Sequence, residues 1–88
     1  MKNEERKALI HQRLQDAFDP TSLEVIDDSA KHAGHPGSAE GGGHFTVIIE
    51  ASCFDEKTRI AIHREIYQTL HDLIPHEIHA LGIKNLKE

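Results

Sequence analysis

The chain has 88 residues, enough for one domain but not for a second hydrophobic core. Its 10 lysines and arginines against 15 aspartates and glutamates give a net charge of −5, which argues against chain-wide attraction to nucleic acid or an anionic membrane. The single cysteine, Cys53, excludes an internal disulfide and indicates a reducing compartment. No apolar run approaches the roughly 18 residues of a membrane span, and no signal-peptide pattern opens the chain, so we expect a cytoplasmic protein.

The first predicted element is an amphipathic helix over residues 4–18. Asn3 is a suitable N-cap, and the residue before Pro20 is pushed out of the helical region, which ends the helix. A short strand is predicted over residues 23–27. The apolar positions that recur at helical spacing are Ile10, Leu14, Ala17 and Phe18.

A glycine-rich segment and a strand form the centre of the chain. Residues 34–43 hold five of the six glycines and a proline, so we predict a loop there. The β-branched and aromatic residues of 45–51 predict a strand, with one face made by Phe45, Val47, Ile49 and Ala51. A long loop joined to a rigid strand is a common place for function. Three histidines lie in this loop or at its edge: His32, His35 and His44.

The second half of the chain predicts one helix and one strand. The helix spans residues 58–73 and Pro75 stops it; the strand spans residues 78–86. Alternation along the strand predicts one face with His79, Leu81 and Ile83 and the other with Ile78 and Ala80. The order α-β-β-α-β indicates an α+β fold, in which both helices cover one face of a three-stranded sheet.

Motifs along most of the chain resemble those of the BolA-like protein family. They are Lys31-His32, Pro36-Gly37-Ser38, Gly43-His44-Phe45, Phe54, His63-Arg64, Ile66-Tyr67 and Ile78-His79-Ala80-Leu81. The resemblance implies a K-homology-type fold and a single BolA-like domain over residues 1–88. The sequence departs from the family pattern at Ile62, where arginine is usual, and at Glu56, where glycine is usual.

For function, the resemblance implies an adaptor that binds a monothiol glutaredoxin and shares a [2Fe–2S] cluster with it, in iron–sulfur assembly, trafficking or iron and redox signalling. The family's two ligands, one in the long loop and one in the last strand, correspond to His32 and His79. Imidazole is a suitable ligand for iron, and one cysteine cannot supply the thiolates of a whole cluster, so a shared site is chemically sensible. The isolated chain would then carry no cofactor and be a monomer or a weak homodimer.

Other interpretations of the histidines stay open. Without the resemblance, His32 would be a solvated loop histidine and His79 a partly buried strand histidine. The spacing of His32, His35 and His44 also permits a three-histidine zinc site, although flexible loops with histidines are common. The simpler role for His44 is to order the loop where it enters the strand.

The resemblance implies a second functional class as well. Some family members are stress-response morphogens that regulate transcription by binding DNA through the second helix and the turn before it. The matching residues are Lys57, Arg59, His63 and Arg64. The acidic net charge favours the adaptor over this regulator. No enzyme is predicted, because the sequence has neither a nucleophile elbow nor a phosphate-binding Gly-x-x-x-x-Gly-Lys motif.

Overall fold

Two helices and a three-stranded sheet make up the fold, in the order that the sequence predicts. The computed structural model describes residues 2–29 and 43–85. In the sheet order β1-β2-β3, β1 runs antiparallel to the central strand and β3 runs parallel to it. The elements are α1 (Asn3–Phe18), β1 (Ser22–Asp27), β2 (Gly43–Glu50), α2 (Arg59–Thr69) and β3 (Ile78–Asn85).

One face of β2 forms the floor of the hydrophobic core. Burial alternates along the strand, and Phe45, Val47 and Ile49 are at most 2% exposed, as the period-2 pattern predicts. Both helices bury their apolar stripes in the same core, which confirms the predicted α+β arrangement with helices on one face. The helix residues in the core are Ile10 and Leu14 of α1 and Ile62 and Ile66 of α2. No helix among the described residues is long and apolar enough to cross a membrane.

The start of α1 differs by one residue from the prediction. Lys2, not Asn3, is the N-cap, and Asn3 is the first helical residue. The Asn3 side chain instead accepts a hydrogen bond of 2.7 Å from Nη1 of Arg6, one turn further along. The helix ends as predicted, at Asp19, whose left-handed φ of 45° breaks the helical path.

Helix α2 is shorter than the predicted span of 58–73. Thr58 caps it, accepting a hydrogen bond of 3.1 Å from the Ala61 amide, but the helix ends at Thr69 and a 3-10 turn, His71–Leu73, follows. Leu70 and Leu73 are buried nevertheless, because three-residue spacing in a 3-10 turn keeps both on one side. The apolar pattern therefore predicted burial correctly and helix length incorrectly.

The turn between β2 and α2 contains a strained residue. Phe54 is buried and its ring packs against that of Phe18, with centroids 5.0 Å apart. Two residues later Glu56 takes a φ of 70°, the left-handed region where glycine is usual. The tight turn thus forms even though glutamate replaces the glycine of the family pattern.

Strand β3 contradicts the predicted alternation. Gly43 pairs with Ile78, but the next residue, His44, pairs with Ala80, so His79 is an extra residue between the two pairs. Such a bulge shifts the period by one. Ile78 is buried in the core and Leu81 packs against it, so these two residues lie on the same side and not on opposite faces.

Candidate functional site

His79 is exposed on an edge strand. It stands at the bulge of β3, and β3 pairs with β2 along only one of its sides. A bulge redirects a side chain and is frequent beside functional sites. The backbone therefore presents this predicted ligand outward, where a partner can reach its imidazole.

His44 is the histidine that the fold brings to His79. It lies at the start of β2, and the two ring centroids are 5.2 Å apart with the ring planes inclined by 44°. His44 is half-buried and its Nε2 atom is inaccessible to solvent. The site thus combines an exposed imidazole with a sheltered one.

Hydrogen bonds hold the end of β1 against the start of β2. The amide of Asp28 donates to the His44 carbonyl at 2.7 Å, and the His44 amide donates to the Ser29 hydroxyl at 3.0 Å. The Thr46 hydroxyl donates to the Asp28 carboxylate. Both backbone groups of His44 are therefore fixed by Asp28 and Ser29, the residues that follow β1.

A second set of bonds fixes the entry to β3. The Gly43 amide donates to the Glu77 carbonyl at 3.0 Å, and Nε of Arg6 contacts the Glu77 carboxylate at 2.9 Å. The Arg6 side chain is only 12% exposed, so this ion pair is shielded from solvent more than a surface pair. It anchors the residues before His79 to α1.

The described residues alone do not complete a metal site. In the ranges 2–29 and 43–85, no group of three or more His, Cys, Asp or Glu side chains is close enough to hold a metal ion. A shallow groove of about 260 Å³ lies beside His44 and is also lined by Asp28, Thr46 and Ala80. The predicted ligand His32, and His35 with it, lie outside the described residues.

Cys53 is at the opposite end of the sheet from the two histidines. It follows β2, its thiol is exposed, and Sγ donates to the Phe18 carbonyl at 3.5 Å. Glu50, where β2 ends, is about 20 Å from His44 at the usual strand rise of about 3.3 Å per residue. Cys53 therefore cannot join His79 in one coordination sphere.

The predicted nucleic-acid residues do not form a uniform cationic patch. Nζ of Lys57 contacts both carboxylate oxygens of Glu65 at 2.8 Å, which offsets its charge. Arg59 is exposed at the first position of α2, whereas His63 is half-buried on the same helix. Arg64 is exposed and lines a groove of about 450 Å³ together with Tyr67 and other residues. Lys57, Arg59 and Arg64 are all exposed, but Glu65 pairs with Lys57.

The pairing of His44 with His79 is the feature that sequence reasoning missed. Both residues were singled out, but His79 was matched with His32, and His44 was given an ordering role or grouped with His32 and His35 as a zinc site. The partial signal was the presence of one histidine at the start of each of two predicted strands. Only the parallel pairing of β2 with β3, together with the bulge, places them side by side.

Comparison with known proteins identifies one family. Residues 14–88 match the family described as BolA-like protein. The chain is 35% identical over 74 residues to the DNA-binding transcriptional regulator BolA of Escherichia coli, covering 84% of this chain and 68% of that protein. It is also 40% identical over 79 residues to SufE-like protein 1, chloroplastic/mitochondrial, of Arabidopsis thaliana, covering 84% of this chain. It spans only 21% of that longer relative.

Solved structures show the same fold. The BolA domain of SufE1 from Arabidopsis thaliana superposes with a TM-score of 0.78 at 38% identity, covering 91% of this chain and 88% of that one. BolA1 from the same plant gives a TM-score of 0.76 at 29% identity, covering 90% and 87%. Two helices over a three-stranded sheet are therefore shared with experimentally determined relatives.

Proposed function

Because the chain belongs to the BolA-like protein family, we propose that it is an adaptor that binds a monothiol glutaredoxin and shares a [2Fe–2S] cluster with it. The observation that carries the proposal is the position of His79: an exposed imidazole at a bulge of an edge strand, beside a second imidazole. An exposed metal-ligating side chain with few other ligating side chains near it suits a metal centre whose remaining ligands come from a partner protein.

The ligands that this chain can supply fit a cluster shared with a partner better than a cluster bound by this chain alone. Histidine nitrogen is a known replacement for cysteine at one iron of a [2Fe–2S] centre, and it raises the potential of the cluster. The only thiol, Cys53, is at the far end of the sheet, so the thiolate ligands must come from the partner. In the family assignment His32 is the other ligand from this chain. The cluster, when bound, supplies one-electron chemistry or iron and sulfide for delivery.

The exposed thiol also bears on location. Cys53 is exposed and has no disulfide partner, since the sequence contains one cysteine. A free exposed thiol is most stable in a reducing compartment. The proposal therefore places the protein in the cytoplasm, although the Arabidopsis relative carries an organellar name.

Anaerobic reconstitution tests the adaptor. The chain is mixed with a monothiol glutaredoxin, glutathione, iron and sulfide, and the products are separated by size and examined by visible absorption. We expect a mixed complex that contains both proteins and absorbs differently from the glutaredoxin homodimer. Recovery of only the separate proteins, with all iron on the glutaredoxin, would contradict the proposal.

A DNA-binding regulator is the second candidate, and the names of bacterial relatives favour it. Arg59 and Arg64 are the exposed cations of α2 that could contact phosphate. Two or three such contacts give weak binding, with a log–log salt slope of about −1.8 to −2.7. Arg64→Ala should weaken binding to all sequences alike, whereas Lys57→Ala should change it less because Glu65 already pairs with Lys57. Tight binding to one sequence that salt does not weaken would make the regulator the primary function.

A further inference from the structure

The side of the sheet that faces away from the helices has an apolar centre. Two isoleucines lie there, Ile26 of β1 and Ile48 of β2, each half-buried and neither packed against the hydrophobic core. Val25, Val47 and Ile83 point to the core, and side chains alternate along a strand, so the residues next to them point away from it. We call this surface the open face, and it consists of Glu24, Ile26, Thr46, Ile48, Gly82 and Lys84.

One row across the open face carries a negative charge, an apolar residue and a positive charge. Glu24 of β1 is the partner of Ile48 on β2, and Ile48 is in turn the partner of Lys84 on β3. Glu24 and Lys84 are both exposed, and the side chain of neither makes an ion pair or a hydrogen bond with another residue of 2–29 or 43–85. Two strand spacings separate them by about 10 Å, too far for the two side chains to pair across Ile48 without bending over it.

The next row of the open face combines a large side chain with an empty position. Ile26 on β1 is the partner of Thr46, and Thr46 is the partner of Gly82 on β3. Gly82 is exposed, and a Cβ atom there would meet only the Thr46 side chain, no closer than 3.5 Å. Nothing among the described residues therefore requires a glycine here. Glycine inside a strand often marks a place where another chain approaches closely.

A two-fold axis along β2 makes both rows complementary to themselves. Two copies packed face to face about this axis exchange their β1 and β3 sides. Glu24 then meets Lys84 of the second copy, Ile26 enters the space above Gly82 of the second copy, and Ile48 meets its own counterpart. An axis across the strands would instead place Glu24 on Glu24 and Lys84 on Lys84. The charges therefore favour the axis along β2, which also gives the roughly aligned strands that are common in packed sheets.

We propose that the open face is a self-association surface, to which a second copy of this chain binds about a two-fold axis along β2. The strands are about 5 Å apart and β1 is six residues long, so the contact is smaller than a standard protein–protein interface and the dimer is weak and reversible. Glu50, the next residue of β2 on this side, opposes its own counterpart and weakens the dimer further. The inference goes beyond the proposed function and does not rest on it, since neither glutaredoxin nor a cluster takes part.

Sedimentation equilibrium of the full chain, at about 10 μM to about 1 mM, measures this association. Wild type should shift from monomer towards dimer over this range. Glu24→Lys and Lys84→Glu each convert both symmetric pairs into like-charge pairs, so each should weaken the dimer by about tenfold or more. The double variant, Glu24→Lys with Lys84→Glu, restores the opposite charges and the net charge, and should return to within about threefold of wild type. Lys7→Glu is the matched control, because Lys7 is exposed on α1 and its replacement changes the net charge as Lys84→Glu does. It should change the association by about twofold at most.

Two further variants test the apolar centre and the position of the axis. Ile48→Thr keeps a β-branched side chain outside the core, so it should leave the fold intact and weaken the dimer by about tenfold. Glu50→Gln removes the like-charge contact and should strengthen the dimer by about twofold or more. Circular dichroism monitors the fold of every variant. A wild-type chain that stays monomeric at about 1 mM would overturn the inference. A double variant as weak as the single variants, or a dimer that folded Ile48→Thr protein forms as readily as wild type, would overturn it as well.

Discussion

The hydroxyl of Tyr67 on α2 donates a hydrogen bond of 2.9 Å to the carbonyl of Leu81 on β3. This bond joins the helix to the strand that carries His79, two residues away, and satisfies a backbone carbonyl of an edge strand. The Tyr67 side chain is part of the exposed surface of α2. The hydrogen bond therefore connects the exposed surface of α2 to β3, the strand that carries the proposed ligand His79.

Tyr67→Phe should reduce the free energy of unfolding by about 1 kcal/mol or less, the net value of one hydrogen bond whose acceptor can turn to water. Urea denaturation measures this loss. Amide hydrogen exchange should also become faster in β3 more than in β1, since only β3 loses a hydrogen bond to α2. Equal acceleration in both strands would show that the bond has no local role.

Gly43→Ala should destabilise the fold, because no side chain fits at this position. An added Cβ would overlap the ring of Phe45, 2.7 Å from its Cζ atom. Relief requires a shift of a buried aromatic ring, so we expect a loss of about 1–3 kcal/mol. Gly82→Ala is the matched control, since a Cβ there meets Oγ1 of Thr46 at an ordinary 3.5 Å. Equal losses in the two variants, measured by denaturation, would contradict the steric explanation.

Glu56→Gly should stabilise the protein by about 1 kcal/mol, because the left-handed φ of 70° costs a non-glycine residue roughly this much. Glu56→Ala removes the same charge but keeps the Cβ, so it should not gain this stability. The difference in unfolding free energy between these two variants isolates the backbone effect. If alanine stabilises as much as glycine, charge rather than conformation is the cause.

The ion pair between Arg13 and Asp72 should make the stability of the fold depend on pH in the acidic range. Arg13 donates to both carboxylate oxygens of Asp72, at 2.7 and 2.9 Å, and this bonding lowers the pKa of Asp72 from 3.8 to about 2. Because the pKa is lower in the folded state, the pair contributes to stability above about pH 4 and loses this contribution as the pH falls toward 2.

NMR titration of the Asp72 carboxyl group measures this directly. Arg13→Gln should return its midpoint toward 3.8, whereas His71→Ala should move it less, since the His71 charge is the smallest of the causes that lower this pKa. An unchanged midpoint in Arg13→Gln would contradict the assigned cause.

Local sequence signals predicted the elements well because their causes are local. Proline after Asp19 ended α1, and alternating apolar residues defined the buried face of β2. Several boundaries differed from the prediction: β2, for example, is Gly43–Glu50 and not 45–51. Lys2 replaced Asn3 as the cap of α1, and the change to a 3-10 turn after Thr69 shortened α2 while it kept the same residues buried.

The site could be predicted only in part, because its geometry depends on pairing between distant strands. The bulge at His79 is a property of the register between β2 and β3, and a single strand gives no sign of it. The pair of Lys57 with Glu65 likewise depends on how the turn enters α2. Local patterns therefore identified candidate residues, whereas tertiary pairing decided which of them meet.

The most direct test of the adaptor is the effect of one histidine on the cluster of the mixed complex. Wild-type chain, His79→Ala and His11→Ala are reconstituted in parallel with a monothiol glutaredoxin, and the visible spectrum of each isolated complex is recorded. Both histidines are exposed, but only His79 lies at the bulge of β3. The account predicts that His79→Ala loses or alters the mixed-complex spectrum while His11→Ala matches wild type. A His79→Ala complex with the wild-type spectrum and the same cluster content would contradict it.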